Sequence, residues 1–142
     1  MIEIKNKKAY FDYTILESIE AGISLVGTEI KSIRKGSVDL KDTFITIKNN
    51  EAFILNMYIA KYEEGNIFNH DERRTRKLLL HKKEIQKLKE KVSTEGLTLI
   101  PLKLYIHKNH VKVLVGLCKG KKLYDKRASI KERDLKRETR YY

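Results

Sequence analysis

Arg73-Arg74-Thr75-Arg76-Lys77 places four cations within five residues, and the apolar triplet Leu78-Leu79-Leu80 follows directly. Guanidinium groups bind phosphate oxygens in bidentate fashion and stack on bases, so Arg74, Arg76 and Lys77 are candidate contacts to a nucleic-acid backbone. One or two of the leucines must enter a core, and one left outside could pack on an unstacked base. Lys5, Lys7 and Lys8 precede Tyr10-Phe11, a composition found on stacking platforms, although aromatics at a strand start are more often core. Lys112 should point away from the face that carries Val111 and Val113, where it offers one more cation.

The densest charge lies at the end. From Lys119 to Tyr142 there are ten Lys or Arg against four Asp or Glu, which is +6 of the chain's +12 formal charge. Lys119, Lys121, Lys122, Lys126, Arg127, Lys131 and Arg133 belong to this run, which has too few apolar residues for a core of its own. It is expected to form a basic arm, disordered until phosphate neutralises it. Glu132 and Lys136, four residues apart, would favour a helix once that happens.

Catalytic chemistry is poorly represented. His70, His81, His107 and His110 lack paired metal-site spacing, and the single cysteine, Cys118, can complete neither a zinc site nor a disulfide. Cys118 fits a reducing compartment as a small buried apolar residue. His70-Asp71-Glu72 are neighbours on a loop, where adjacent side chains seldom converge. There is no Gly-x-Ser-x-Gly elbow, phosphate-binding glycine loop or dinucleotide fingerprint. The expectation is a binding protein, not an enzyme, with no metal and no cofactor. RNA, DNA or an acidic membrane surface would each satisfy the charge. No apolar run spans a membrane and no cleavable signal opens the chain, so the expected location is the cytoplasm, without a membrane partner.

The elements that must carry these residues are mostly short strands. Tyr13, Ile15 and Ile19 alternate in one, Ile23 and Leu25 in a second, with a bend at Ala21-Gly22. Thr28 can cap a helix with Ile30 and Ile33 on one face, Glu29, Lys31 and Arg34 on the other, and Gly36 as its stop. Asn49-Asn50 separates two strands as a tight hairpin turn. His81 to Thr94 returns to helical spacing through Ile85, Leu88 and Val92, and Gly96 ends it. Pro101 suggests an edge position or a bulge, and Val111 to Cys118 alternates as the last strand. The reading is a mainly β body over residues 1–118 and a basic tail over 119–142. The body would be an OB-fold-like closed antiparallel barrel of about six strands with two or three short helices. No RNP aromatic motif, zinc finger or Gly-x-x-Gly clamp is present, which points to recognition of shape and backbone.

Read together, these segments resemble the small protein B family, the bacterial partners of transfer-messenger RNA (SsrA RNA) in trans-translation. The resemblance rests on Asn6-Lys7-Lys8-Ala9, Glu20-Ala21-Gly22-Ile23, Gly27-Thr28-Glu29-Ile30-Lys31-Ser32-Ile33-Arg34, Leu40-Lys41-Asp42 and Asn56-Met57. It continues through Arg74-Thr75-Arg76-Lys77-Leu78-Leu79-Leu80, Gly96-Leu97-Thr98, Gly116-Leu117 and Gly120-Lys121-Lys122-Leu123-Tyr124-Asp125-Lys126-Arg127. Glu72 departs from it, since the family often has proline there. The resemblance implies an OB-fold that binds the tRNA-like domain at its elbow, with Glu20, Leu79 and Lys112 in contact with RNA. It implies that Tyr124, Asp125, Lys126 and Arg127 act in the ribosome's decoding centre, with the tail helical in the empty messenger channel. Elongation factor Tu and alanyl-tRNA synthetase would be indirect partners through the RNA. The rival reading is a general OB-type RNA-binding or ribosome-assembly protein, which would bind unrelated RNAs with similar affinity.

Overall fold

The computed structural model describes residues 2–63 and 69–121. In chain order its elements are β1 (Glu3–Lys5), α1 (Lys7–Asp12), β2 (Tyr13–Ile23), α2 (Gly27–Arg34), β3 (Val38–Asp39) and β4 (Phe44–Lys48). There follow β5 (Glu51–Leu55), β6 (Tyr58–Ile59), β7 (Arg76–Leu79), α3 (Lys82–Glu95), β8 (Thr98–His107) and β9 (His110–Gly120). Every pairing is antiparallel, and the order β8-β4-β5-β7-β2-β9 returns to β8, so six strands close a ring. β1 adds to β8, while β3 and β6 form a separate pair. The seam between β4 and β8 is a single pair, Ile45 opposite Leu99.

Period-two alternation turns one face of each ring strand inward. Ala21, Ile23, Ile45, Ala52, Ile54, Leu78, Leu99, Leu104, Val113, Val115 and Leu117 share one buried cluster, joined by Ile33 from α2 and Leu88 from α3. Each such leucine contributes about 1.5–3 kcal/mol on burial. A second cluster of Ala9, Ile100, Leu102 and Cys118 lies beneath α1, with Tyr13, Ile15 and Leu114 against it. Gly116 is required there, because a Cβ would stand 2.7 Å from Leu102 Cγ.

Two bulges decide which residues serve which cluster. In β2 the register shifts between Ile15 and Glu17, so Ile15 packs on the second cluster and Ile19 on the first. The expected strand pair with a bend at Ala21-Gly22 is therefore one long strand, and the break in its alternation is a bulge rather than a turn. In β8 the shift falls between Pro101 and Lys103, bringing Leu104 inward in place of Lys103. Pro101 marks a bulge, as anticipated, but pairs opposite Val115 inside the sheet, not at an edge.

The hairpin holds as read: Asn49 and Asn50 take φ of 52° and 61° between β4 and β5. Gly96, at φ 64°, ends α3. Thr28 does not cap α2. Val26 occupies that position, and the Glu29 carboxylate accepts its N–H at 2.9 Å. Lys7 to Asp12 forms a short helix where a strand start was expected, capped by the Asn6 side chain accepting from the Ala9 N–H at 3.2 Å. At the other end β9 continues through Lys119 to Gly120, and Lys121 donates its N–H to the Asp12 carbonyl at 3.0 Å. The folded body thus passes the boundary at 118 that charge alone suggested.

Candidate nucleic-acid interface

β7 runs through the basic segment, and its alternation sorts the cations. Arg76 and Leu78 point inward, Lys77 and Leu79 outward. Arg76 is fully buried, with its Nε donating to Glu29 Oε2 and its Nη1 to the Met57 carbonyl at 2.7 Å. Arg74 Nη2 donates to Glu29 Oε1 at 2.6 Å and to the Ser24 carbonyl at 3.3 Å. Burial pushes the Glu29 carboxyl up, yet donation from Arg74, the Val26 N–H and Arg76 holds it below the ordinary value. Burial likewise lowers the Arg76 pKa, against the pull of Glu29. Glu29 thus leaves the polar face of α2 assigned to it and becomes the buried counter-ion that ties α2 to β7. Arg76, read as a phosphate contact, is an internal structural cation, and Arg74 is largely occupied by the same carboxylate. His70, also buried, contacts Thr28 Oγ1 and the Ile59 carbonyl at 2.9 Å each, pinning α2 from its other side.

The outward residues of β7 meet others on an open cleft of about 580 Å³, lined among others by Glu20, Lys77, Leu79, Lys82 and Lys112. Glu20 and Gly22 lie on β2, Lys112 lies opposite Gly22 on β9, and Leu79 lies opposite Gly22 on β7. Gly22 eases this approach: a Cβ there would stand 3.2 Å from Leu79 Cβ, a tight contact that would push Leu79 by a few tenths of an ångström. Leu79 is 55% exposed while Leu78 is 1% exposed, so the leucine triplet divides between surface and core as its sequence suggested. Lys77 Nζ reaches Glu51 Oε1 at 3.1 Å, an exposed pair worth about 0–1 kcal/mol. Among the described residues Lys112 makes no ion pair.

The remaining sequence candidates lie elsewhere. Lys7 and Lys8 are exposed on α1, and Lys8 lines a separate recess of about 290 Å³ with Tyr13, Asp42 and Phe44. Lys119 sits in β9 opposite Thr14, and Lys121 Nζ donates to the Tyr10 carbonyl at 3.2 Å. Lys122, Tyr124, Asp125, Lys126, Arg127, Lys131 and Arg133 lie outside the described residues. Cys118 is buried in the second cluster, as anticipated, and burial raises its thiol to about 11. Sequence reasoning missed Tyr105, whose hydroxyl donates to Glu20 Oε2. It also missed the inward turn of Arg76, although a residue two positions before a core leucine on a strand shares its face.

Ring and cleft together make a small β module, in a chain of formal charge +12, with an open cleft on one side. The chain belongs to the SmpB family: the family model described as SmpB protein matches residues 3–141. It is 58% identical over 134 residues to the SsrA-binding protein of Staphylococcus epidermidis, covering 94% of this chain and 86% of that one. The SsrA-binding protein of Enterococcus faecalis is 56% identical over 134 residues, covering 94% and 87%. A solved structure described as "tmRNA-SmpB: a journey to the center of the bacterial ribosome" superposes with a TM-score of 0.72 at 49% identity, over 87% of each chain.

Proposed function

We propose that this protein binds the tRNA-like domain of transfer-messenger RNA and delivers it to stalled ribosomes in trans-translation. The observation that carries this reading is convergence: Glu20, Leu79 and Lys112, far apart in sequence and on three different strands, line one cleft. Family membership and the relatives' name, SsrA-binding protein, support the choice of RNA. The ribosome as second partner is supported by the description of the structural neighbour.

We read the closed six-strand ring as an OB-fold barrel, supported by its size and its antiparallel pairing. Lysines supply the salt-dependent phosphate attraction, and the apolar side chain of Leu79 offers a seat for an unstacked base. The role is binding and delivery, with no chemical step of its own, in the cytoplasm where ribosomes work. Elongation factor Tu and alanyl-tRNA synthetase would act on the same RNA and meet this protein only through it.

The tail reading is that the basic tail, residues 119–142, senses an empty messenger channel, because a cationic segment can fill a channel walled by RNA only when no messenger occupies it. Dense phosphate contact has to outweigh the several kcal/mol that ordering such a segment costs. Truncation after Lys121 tests the division of labour. Binding to the tRNA-like domain should persist while tagging of stalled chains disappears. Loss of RNA binding on truncation would show that body and tail share one site.

A further inference from the structure

Glu20 shares its cleft with Lys77, Lys82 and Lys112 and with two other acids, of which Glu51 pairs with Lys77 and Glu84 accepts the His81 N–H. A carboxylate repels phosphate and has only acceptor sites, so the groups on RNA that it can hold are hydrogen-bond donors. How well it selects among them depends on whether its oxygens are fixed.

The outer face of the sheet fixes one of them. Tyr105 on β8 lies opposite Lys112 on β9, which in turn lies opposite Gly22 on β2, two residues from Glu20 on the same face. The Tyr105 side chain spans β9, and its hydroxyl donates to Glu20 Oε2. Lys103 also contacts the ring, with Nζ 5.3 Å from the ring centroid and 3.6 Å from Glu3 Oε1. Burial, and then the Glu20 carboxylate, push the phenol up to about 12, so it remains a donor at neutral pH. Glu20 Oε1 has no protein donor among the described residues. Exposed Leu79 lines the same cleft, a seat for a base that has left its stack.

We propose that Tyr105 is a positioning residue for RNA recognition, holding one oxygen of Glu20 so that the carboxylate reads an N–H on the edge of an unpaired base. The inference rests on the cleft being the site for the tRNA-like domain. It divides the work: lysines supply affinity for any RNA, and the Tyr105–Glu20 pair supplies preference for one.

The test uses full-length Tyr105→Phe, which keeps the ring and its lysine contact and removes only the hydroxyl. Affinity for the tRNA-like domain and for an ordinary tRNA is measured across a range of salt, beside thermal unfolding. The expected result is a loss of about tenfold for the tRNA-like domain, with the salt slope, the affinity for ordinary tRNA and Tm unchanged. Glu20→Gln removes a charge that repels phosphate, so its affinity for ordinary tRNA should rise; its preference for the tRNA-like domain should fall as in Tyr105→Phe, and the double variant should lose little more preference than either single one. Unchanged preference in Tyr105→Phe would overturn the positioning role while leaving the cleft reading intact. An equal loss on both RNAs with a shallower slope would make Tyr105 part of a general backbone contact and overturn the inference. Absence of any preference in the wild type would remove the cleft reading and the inference together.

Discussion

Arg76 and Lys77 are adjacent cations in the same basic run, yet they live in different media. Arg76 is fully buried and held by Glu29, whereas Lys77 faces an open cleft and meets Glu51 only loosely. The same division separates Leu78 from Leu79 one step further along β7. A strand that borders both core and cleft gives consecutive residues opposite tasks, so a cluster of charge is not a cluster of contacts. One half of the run fixes where β7 lies, and the other half presents what β7 carries.

Glu29→Gln breaks the buried half and should have the largest effect. With the carboxylate gone, Arg76 is a buried charge without a counter-ion, which costs about 3–5 kcal/mol in urea unfolding. Acid should do the same gradually. Because the folded Glu29 titrates below its ordinary 4.5, its stabilisation is complete above that value and is lost as pH falls through the lowered one. Wild type should therefore lose stability below about pH 4.5 more steeply than Glu29→Gln does. An identical acid response in both would show that Glu29 is not the group being titrated.

Leu78→Ala and Leu79→Ala sharpen the comparison with the same chemistry on opposite faces. Leu78→Ala should cost about 2–5 kcal/mol of stability. Leu79→Ala should cost far less, about 0.5–1 kcal/mol, because more than half of the residue is already exposed, and should instead weaken RNA binding. If Leu79→Ala destabilised the protein as much as Leu78→Ala, the cleft would be part of the core.

Local chemistry made much of the fold legible. Asn49-Asn50 tolerates positive φ, Gly96 ends a helix, and Val111 to Cys118 alternates, so the hairpin, α3 and β9 could be read from short windows of sequence. The β2 bulge was not legible, because Tyr13, Ile15 and Ile19 keep a regular apolar spacing while the backbone between them moves them to opposite faces. Glu29 and Arg76 looked like surface charges because each is polar by itself. They find each other only when α2 packs against β7, a contact across 47 positions of sequence. The cleft was half legible: its lysines stand out by charge, whereas Tyr105 reaches Glu20 across 85 positions through a register that no local pattern reveals.

We read the open side of the ring as recognising one RNA by shape and contact rather than by charge alone. The deciding measurement is the affinity of full-length wild type and of Lys112→Glu for the tRNA-like domain and for an ordinary tRNA, at one physiological salt concentration. The wild type should clearly prefer the tRNA-like domain. Lys112→Glu should reduce affinity for that domain by about tenfold or more while its unfolding is unchanged. Equal binding of both RNAs by the wild type, or undiminished binding by Lys112→Glu, would contradict it.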